Sequence, residues 1–261
     1  MPELKTKYFQ ILSLKKGLKI IELLAEKREL SVTDVARCLD FNRSGSHRYL
    51  ATLQEAGYVE KNGEGRYQIT FKVLELGMKV ANRFNIKPMA RPFMEKLVAL
   101  FQETVNLGYW THGEVVHLDK IDSGDVLRID LGVGQRAPAY CTALGKSILA
   151  FLPPHELEAY LQSVKFDRLT SNTITSRKRL VQELEGIRKK GFAIDDEELF
   201  LGLRCVGAPV FDFKGYPQYS LSVAGPTFRM TGERIKRVER GIREIARAFS
   251  AQMGGLNAAQ G

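Results

Sequence analysis

The sequence predicts an α+β fold in two parts, a winged helix-turn-helix followed by a mixed α/β domain. Three observations carry this. Three separate runs between Leu14 and Leu53 place apolar residues at three- and four-residue steps. Two alternating stretches then flank the turn Asn62-Gly63-Glu64-Gly65, as in a hairpin. Beyond Met89 helical runs alternate with short strand-like ones.

The first helix is expected over 14–25, with Leu14, Leu18, Ile21, Leu24 and Ala25 on its apolar face. Ser31 is placed to cap a second helix over 32–39, with Asp34 as its acidic first-turn residue. Val35, Ala36 and Leu39 form its inner face. Asn42 or Ser44 caps a third helix through Leu53, and Gly57 ends it. Strands at 58–61 and 66–69 make the hairpin. A further helix over 71–84 connects the hairpin to the stretch Asn85–Pro88, read as the domain boundary. Later helices are expected near 89–102, 142–152, 155–162, 176–190 and 231–250. Strands are expected near 104–110, 114–120, 126–130, 192–196, 205–212 and 217–224. The domain plan is therefore an N-terminal arm over 1–12, read as mobile, a winged domain over 13–70 and a linker helix over 71–87. A second domain follows over 88–254, with a tail over 255–261 read as disordered.

With 261 residues, 44% of them hydrophobic, the chain has material for a substantial core. Cys38, Cys141 and Cys205 are odd in number and far apart, which disfavours a disulfide framework and suits a reducing cytosol. No apolar run reaches membrane-spanning length, and the first residues lack a signal-peptide pattern. A cytoplasmic location is expected. The net charge of +9 favours anionic partners without locating their site. Residues 1–75 carry 13 Lys/Arg against 10 Asp/Glu, whereas residues 165–190 carry 8 against 3.

In a helix-turn-helix the second helix of the pair enters the major groove, so its first turn and outer face meet the bases. Those positions hold Asn42, Arg43, Ser44, Ser46, His47 and Arg48, all able to hydrogen-bond. Arg43 or Arg48 suits the two acceptors of guanine, and Asn42 suits adenine. Ser44 and Ser46 suit phosphate oxygens, and Ser31 joins the DNA-facing set. Lys61 and Arg66 flank the hairpin tip as a wing would. Singly, each of these is more often a plain surface residue; the order of elements and the polar outer face together favour DNA. Gly45 costs about 0.5–1 kcal/mol of helix stability against alanine. It either admits a close approach to DNA or is a tolerated weakness.

Several stretches together resemble the isocitrate lyase regulator (IclR-type) family over nearly the whole chain. They are Leu50-Ala51-Thr52-Leu53-Gln54-Glu55-Ala56-Gly57-Tyr58-Val59, Leu74-Glu75-Leu76-Gly77, Glu103-Thr104-Val105-Asn106-Leu107 and Thr142-Ala143-Leu144-Gly145-Lys146. Asp195-Asp196-Glu197-Glu198, Gly202-Leu203-Arg204-Cys205 and Ala208-Pro209-Val210-Phe211-Asp212 complete them. The resemblance implies a winged N-terminal domain, a linker helix and a GAF-like α/β domain that binds a small effector. It also implies homodimers formed through the DNA-binding half, often paired into tetramers, on a palindromic operator. Many relatives begin the reading helix with Pro-Lys-Ser-Thr, where this chain has Asn42-Arg43-Ser44-Gly45.

By the same resemblance the effector pocket is lined by Ala143, Leu144, Gly145, Asp195, Cys205 and Ser222, with Val126 and Ile129 as its apolar wall. Some relatives carry a second serine where this chain has Ala224. A helix start near Thr142 offers backbone N–H groups to an anion, so a carboxylate-bearing ligand fits, with Asp195 accepting from its hydroxyls. Cys205 also reads as a small buried side chain. His117-Leu118-Asp119-Lys120-Ile121-Asp122-Ser123, Thr173-Ile174-Thr175-Ser176 and Ser250-Ala251-Gln252-Met253-Gly254 are similar to regulators of ketodeoxygluconate and pectin-derived sugar-acid catabolism. A 2-keto-3-deoxy sugar acid, or a similar small carboxylate, is the expected effector.

An enzyme reading finds little support. His47 belongs to the reading helix, while His112 and His117 flank a turn and fall on opposite faces of an extended chain. No metalloprotease, nucleophile-elbow or phosphate-loop pattern occurs, so neither catalytic residues nor a cofactor are expected. A thiol or metal site at Cys141 or Cys205 is the minor alternative, and a ligand sensor acting through a protein partner is the other. The preferred reading is a sequence-specific regulator, taken as a repressor, whose operator affinity is switched by a small carboxylate.

Overall fold

The computed structural model describes residues 11–84, 86–122 and 131–255, with only the backbone of 80–84. Two compact units divide at Asn85/Ile86. Of the expected arm, residues 1–10 lie outside the described residues, and Leu12 already belongs to the first helix. The expected strand near 126–130 and residues 256–261 of the expected tail also lie outside them.

The first unit contains α1 (Leu12–Lys27), β1 (Glu29–Leu30), α2 (Val32–Leu39), α3 (Arg43–Glu55), β2 (Val59–Lys61), β3 (Tyr67–Ile69) and α4 (Phe71–Phe84). Ile20, Leu24, Val35, Leu50, Val59 and Tyr67 form its core. Ser31 caps α2 in a full capping box: its hydroxyl accepts from the Asp34 N–H, and the Asp34 carboxylate accepts from the Ser31 N–H. Strand β1 was not expected. Its two residues pair with β3 to make a three-stranded sheet in the order β1-β3-β2, and two residues are too few to show a period.

The face of α1 differs from expectation. Ile20 and Leu24 are buried, whereas Leu14 and Leu18 are exposed, as is Ala25. The helix carries two apolar stripes, and the sequence period picked out mainly the one that this unit leaves uncovered. On α4, Phe71, Leu74 and Met78 are likewise exposed, at 79%, 54% and 55%. Those spacings place them on one helical face.

The second unit comprises α5 (Ile86–Phe101), β4 (Thr104–Thr111), β5 (Glu114–Ile121), β6 (Arg136–Pro138), a 3₁₀ turn (Ala139–Cys141), α6 (Ala143–Leu149), α7 (Pro154–Ser163), α8 (Arg177–Lys190), β7 (Ala193–Asp196), β8 (Leu203–Val210), β9 (Tyr219–Pro226) and α9 (Gly232–Gln252). The two units divide at Asn85/Ile86, inside the 85–88 boundary expected from sequence, and Lys87-Pro88 lies in the first turn of α5. Proline is tolerated there because first-turn N–H groups have no helical acceptor. Six strands form one antiparallel sheet in the order β6-β5-β4-β9-β8-β7. Strand β6 was not expected: three residues including Pro138 show no alternation, and the sheet edge is where proline fits.

Alternation along the central strands divides the sheet into two chemistries. Val105 and Leu107 on β4, Leu221 and Val223 on β9, and Val206 and Ala208 on β8 face the helices α5 and α9 in the larger core. On the other face, Leu144, Ile148 and Leu149 of α6 pack with Leu180, Leu184 and Ile187 of α8. That second face also carries Thr104, Asn106, Ser222, Cys205 and Asp195, polar residues where a plain core strand would be apolar.

Candidate functional site

On α3, Asn42 is the N-cap, its Oδ1 accepting the Gly45 N–H at 2.6 Å. This bond occupies the acceptor that a two-point contact to adenine would use. It also accounts for Gly45, since a Cβ there would lie 2.8 Å from Asn42 Oδ1. The glycine serves the cap, a reason separate from either a DNA approach or a tolerated weakness. Arg43, Ser44, His47 and Arg48 are exposed and, with Val32, line one shallow concavity. Spacings of four residues bring Arg43 beside His47 and Ser44 beside Arg48. Ser46 departs from expectation. It is fully buried and its hydroxyl donates to the Asn42 carbonyl, so it faces the core and does not reach phosphate. Ser31 is half-buried with its hydroxyl donating to Asp34 Oδ2 at 2.7 Å, which makes it a cap first.

The wing tip is held by Asn62, whose Oδ1 accepts the N–H groups of Glu64 and Arg66 and whose Nδ2 donates to Glu29. Lys61 is exposed and Arg66 half-buried at its base. The result is a hairpin with Lys61 at the end of β2 and Arg66 just before β3.

In the second unit a small cavity open to solvent lies between the polar sheet face and the start of α6. It brings together five residues expected there: Ala143, Leu144, Asp195, Cys205 and Ser222. Gly145 is not on its wall. A Cβ at Gly145 would lie 2.3 Å from the Ala139 Cα, so this glycine lets α6 pack on the preceding 3₁₀ turn. Its N–H is taken by the Thr142 hydroxyl at 3.0 Å. An anion site built from the free N–H groups of this helix start is therefore smaller than expected. Val126 and Ile129 lie outside the described residues.

Sequence reasoning missed much of the wall. Asn106 and Ser222 are register partners on β4 and β9. They are 7% and 2% exposed, and among the described residues neither side chain has a hydrogen-bond partner. Lys120 and Arg229 add cations. Lys120 pairs with Asp122 at 2.6 Å. Arg229 makes a two-pronged contact with buried Glu103, at 2.8 and 2.7 Å. The cationic member of each pair lines the cavity and the carboxylate does not. A signal for Asn106 was present: it is an isolated amide at a core-facing strand position.

Behind the cavity sits a buried charge cluster. Lys146 on α6, 1% exposed, is ion-paired with Glu198, and Glu183 lies 3.8 Å from the same ammonium. Asp195 accepts the Glu198 N–H at 2.8 Å. Burial raises the Asp195 carboxyl to about 7, against the opposing pull of the Glu198 N–H and of Lys146. Burial also raises the thiols of Cys141 and Cys205, and Asp195 adds to both shifts. Neither is disposed to form the thiolate a nucleophile needs. His112 is exposed on the β4–β5 turn while His117 is buried on the cavity wall, so the two do not meet. Among the described residues no group of His, Cys, Asp or Glu is arranged to hold a metal.

Residues 78–251 match the family model described as bacterial transcriptional regulator IclR C-terminal, and residues 13–63 match the IclR helix-turn-helix domain. The chain belongs to the IclR family. It is 36% identical over 243 residues to the HTH-type transcriptional regulator KdgR of Escherichia coli K12, covering 93% of this chain and 92% of that one. KdgR of Dickeya chrysanthemi is 35% identical, with coverage of 93% and 80%. The crystal structure of Thermotoga maritima IclR aligns at a TM-score of 0.75 and 34% identity, over 94% of this chain and all of that one. The chain is thus an IclR-family DNA-binding transcription regulator and not an enzyme. No helix among its described residues is long and apolar enough to cross a membrane.

Proposed function

We propose that this regulator represses from a palindromic operator as a homodimer and that a small hydroxylated carboxylate, a 2-keto-3-deoxy sugar acid or a close analogue, changes its operator affinity. The observation that carries the effector assignment is the cavity wall: the Asn106 amide and Ser222 hydroxyl lack protein partners and face the same space as Lys120 and Arg229. Both groups open onto the cavity, and a few convergent polar groups on a concave wall are what orients a small polar ligand. The cations match a carboxylate, and Asn106, Ser222 and Asp195 match hydroxyl groups. Resemblance to ketodeoxygluconate regulators in the stretch containing His117 and Lys120 points the same way.

The repressor reading is supported by two similar proteins from Escherichia coli K12, named as the repressors YiaJ and IclR. Dimerisation is supported by the uncovered stripes Leu14/Leu18 on α1 and Phe71/Leu74/Met78 on α4. A dimer sets two copies of Arg43, Ser44, His47 and Arg48 about one helical turn of DNA apart. Ser31, Asn42, Lys61 and Arg66 lie around that contact.

Calorimetric titration of the full chain with a panel of sugar acids tests the effector assignment. Saturable binding of a 2-keto-3-deoxy acid, weakened at least tenfold by Asn106→Leu, is expected. Absence of heat with every acid in the panel would overturn it.

A further inference from the structure

Beyond the basic segment 165–190, a second concentration of positive charge lies on α9, and the reading helix does not explain it. On α9, Lys236, Arg240, Arg243 and Arg247 follow steps of four, three and four residues, and all four are exposed. At 100° per residue they fall within about 60° of arc and run about 16 Å along the helix. Arg243 reaches across to α8, donating to the Lys190 carbonyl at 3.1 Å, and so joins the stripe to Lys189 and Lys190. Basic residues at the end of α8 have an ordinary structural reason, since they face the negative end of that helix dipole. Arg243 shares that reason through the Lys190 carbonyl and also packs over the Phe192 ring, whereas Lys236, Arg240 and Arg247 have no such reason. Among the described residues none of its four cations has a carboxylate within salt-bridge distance, although Glu239 and Glu244 flank it; Arg240 and Arg243 instead contact main-chain carbonyls.

We propose that the α9 stripe is a second, sequence-independent contact for the phosphate backbone of duplex DNA. Exposed cations that are not neutralised by the protein retain counterions, whose place polyanions take. Three of the four are arginines, whose planar forks suit phosphate oxygens. A symmetric contact between two copies of this face would set four cations against four, which disfavours self-association as its use. The stripe is long enough to follow about five base-pair steps. Carrying no base contacts, it leaves operator choice unchanged. The proposal rests on the DNA-binding role of the chain, and operator binding by the unaltered protein is its control.

The test is a salt titration of the full-length chain and the variant K236Q/R240Q/R243Q/R247Q, on operator DNA and on a random duplex of equal length. A triple variant retaining Arg243, which contacts α8, covers a folding defect in the quadruple one. At about 0.9 per phosphate contact, the slope of log K against log salt is expected to shrink by about 3–4 in the quadruple variant and about 2–3 in the triple variant. The ratio of operator to random-duplex affinity should hold within about twofold. Unchanged slopes in a folded variant would overturn the proposal. So would poly-glutamate binding to the stripe with no change in either DNA slope, which would assign it to an acidic protein surface.

Discussion

Lys146 of α6 is buried against Glu198, and Glu198 in turn donates its backbone N–H to the carboxyl of Asp195 on the cavity wall. The charge cluster and the cavity are thus joined through one residue. Removing Lys146 leaves a buried carboxylate without its cation. Lys146→Met is expected to lower unfolding stability by about 3–5 kcal/mol, as for other broken buried pairs. Denaturant unfolding checks this, and a loss under about 1 kcal/mol would argue that water reaches Glu198.

The Asp195 carboxyl makes stability depend on pH with a definite sign. Its value is about 7 in the folded chain, against about 4 for an ordinary Asp. The folded state therefore holds more protons than the unfolded one between those values. This contribution is fully present below about pH 4 and is lost as pH rises toward 7, after which it stays flat. Asp195→Asn should flatten the Tm profile between pH 5 and 7.5, with the variant gaining most at the alkaline end. A parallel profile would show that Asp195 is ionised throughout.

At Gly145 a methyl group has no room. Gly145→Ala puts a carbon 2.3 Å from the Ala139 Cα, so α6 or the 3₁₀ turn must move. Overpacking of this kind costs about 1–3 kcal/mol or more. Because the same helix start lines the cavity, effector affinity should fall along with Tm in calorimetry of the variant.

On the proposed mode of DNA binding, Arg43 meets a base and Lys61 meets phosphate, and the two differ in what their removal should do. Arg43→Ala is expected to cost about 1–3 kcal/mol and to relax selectivity at one base pair, while Lys61→Ala should weaken all sequences alike and reduce the salt slope by about 1. Binding to a library of single-base operator variants distinguishes these outcomes.

Much of this molecule was legible in its sequence. The helix-turn-helix followed from capping chemistry at Ser31 and Asn42 and from apolar spacing, and the helices of the second unit followed from the same period. Short pairings were not legible, because β1 has two residues and β6 has three. Ser46 was placed on the wrong face because polarity was read as exposure; a serine that bonds its own helix is readily buried. The cavity was legible only in part. Asp195, Cys205 and Ser222 came from family resemblance, whereas Asn106 and Arg229 needed the sheet register to bring them together. Of the three stretches shared with sugar-acid regulators, that with His117 and Lys120 reaches the cavity. Thr173 instead holds the Glu198 carbonyl, and Ser250 ties Phe211 to α9.

The uncovered apolar stripes give an assembly prediction. Leu74→Glu combined with Met78→Glu should shift the chain toward monomer in sedimentation. Operator affinity should fall by more than about tenfold, as two linked half-site contacts become single ones. An unchanged sedimentation coefficient would show that this stripe holds no two copies together.

Control of operator binding by a small carboxylate in the cavity, as proposed, is tested most directly by a gel-shift titration of the full-length protein on its own upstream DNA. Retarded operator that is released by a 2-keto-3-deoxy sugar acid is expected, with release lost in an Asn106→Leu variant that still binds the operator. Operator binding that no carboxylate alters, or release that persists unchanged in that variant, would contradict it.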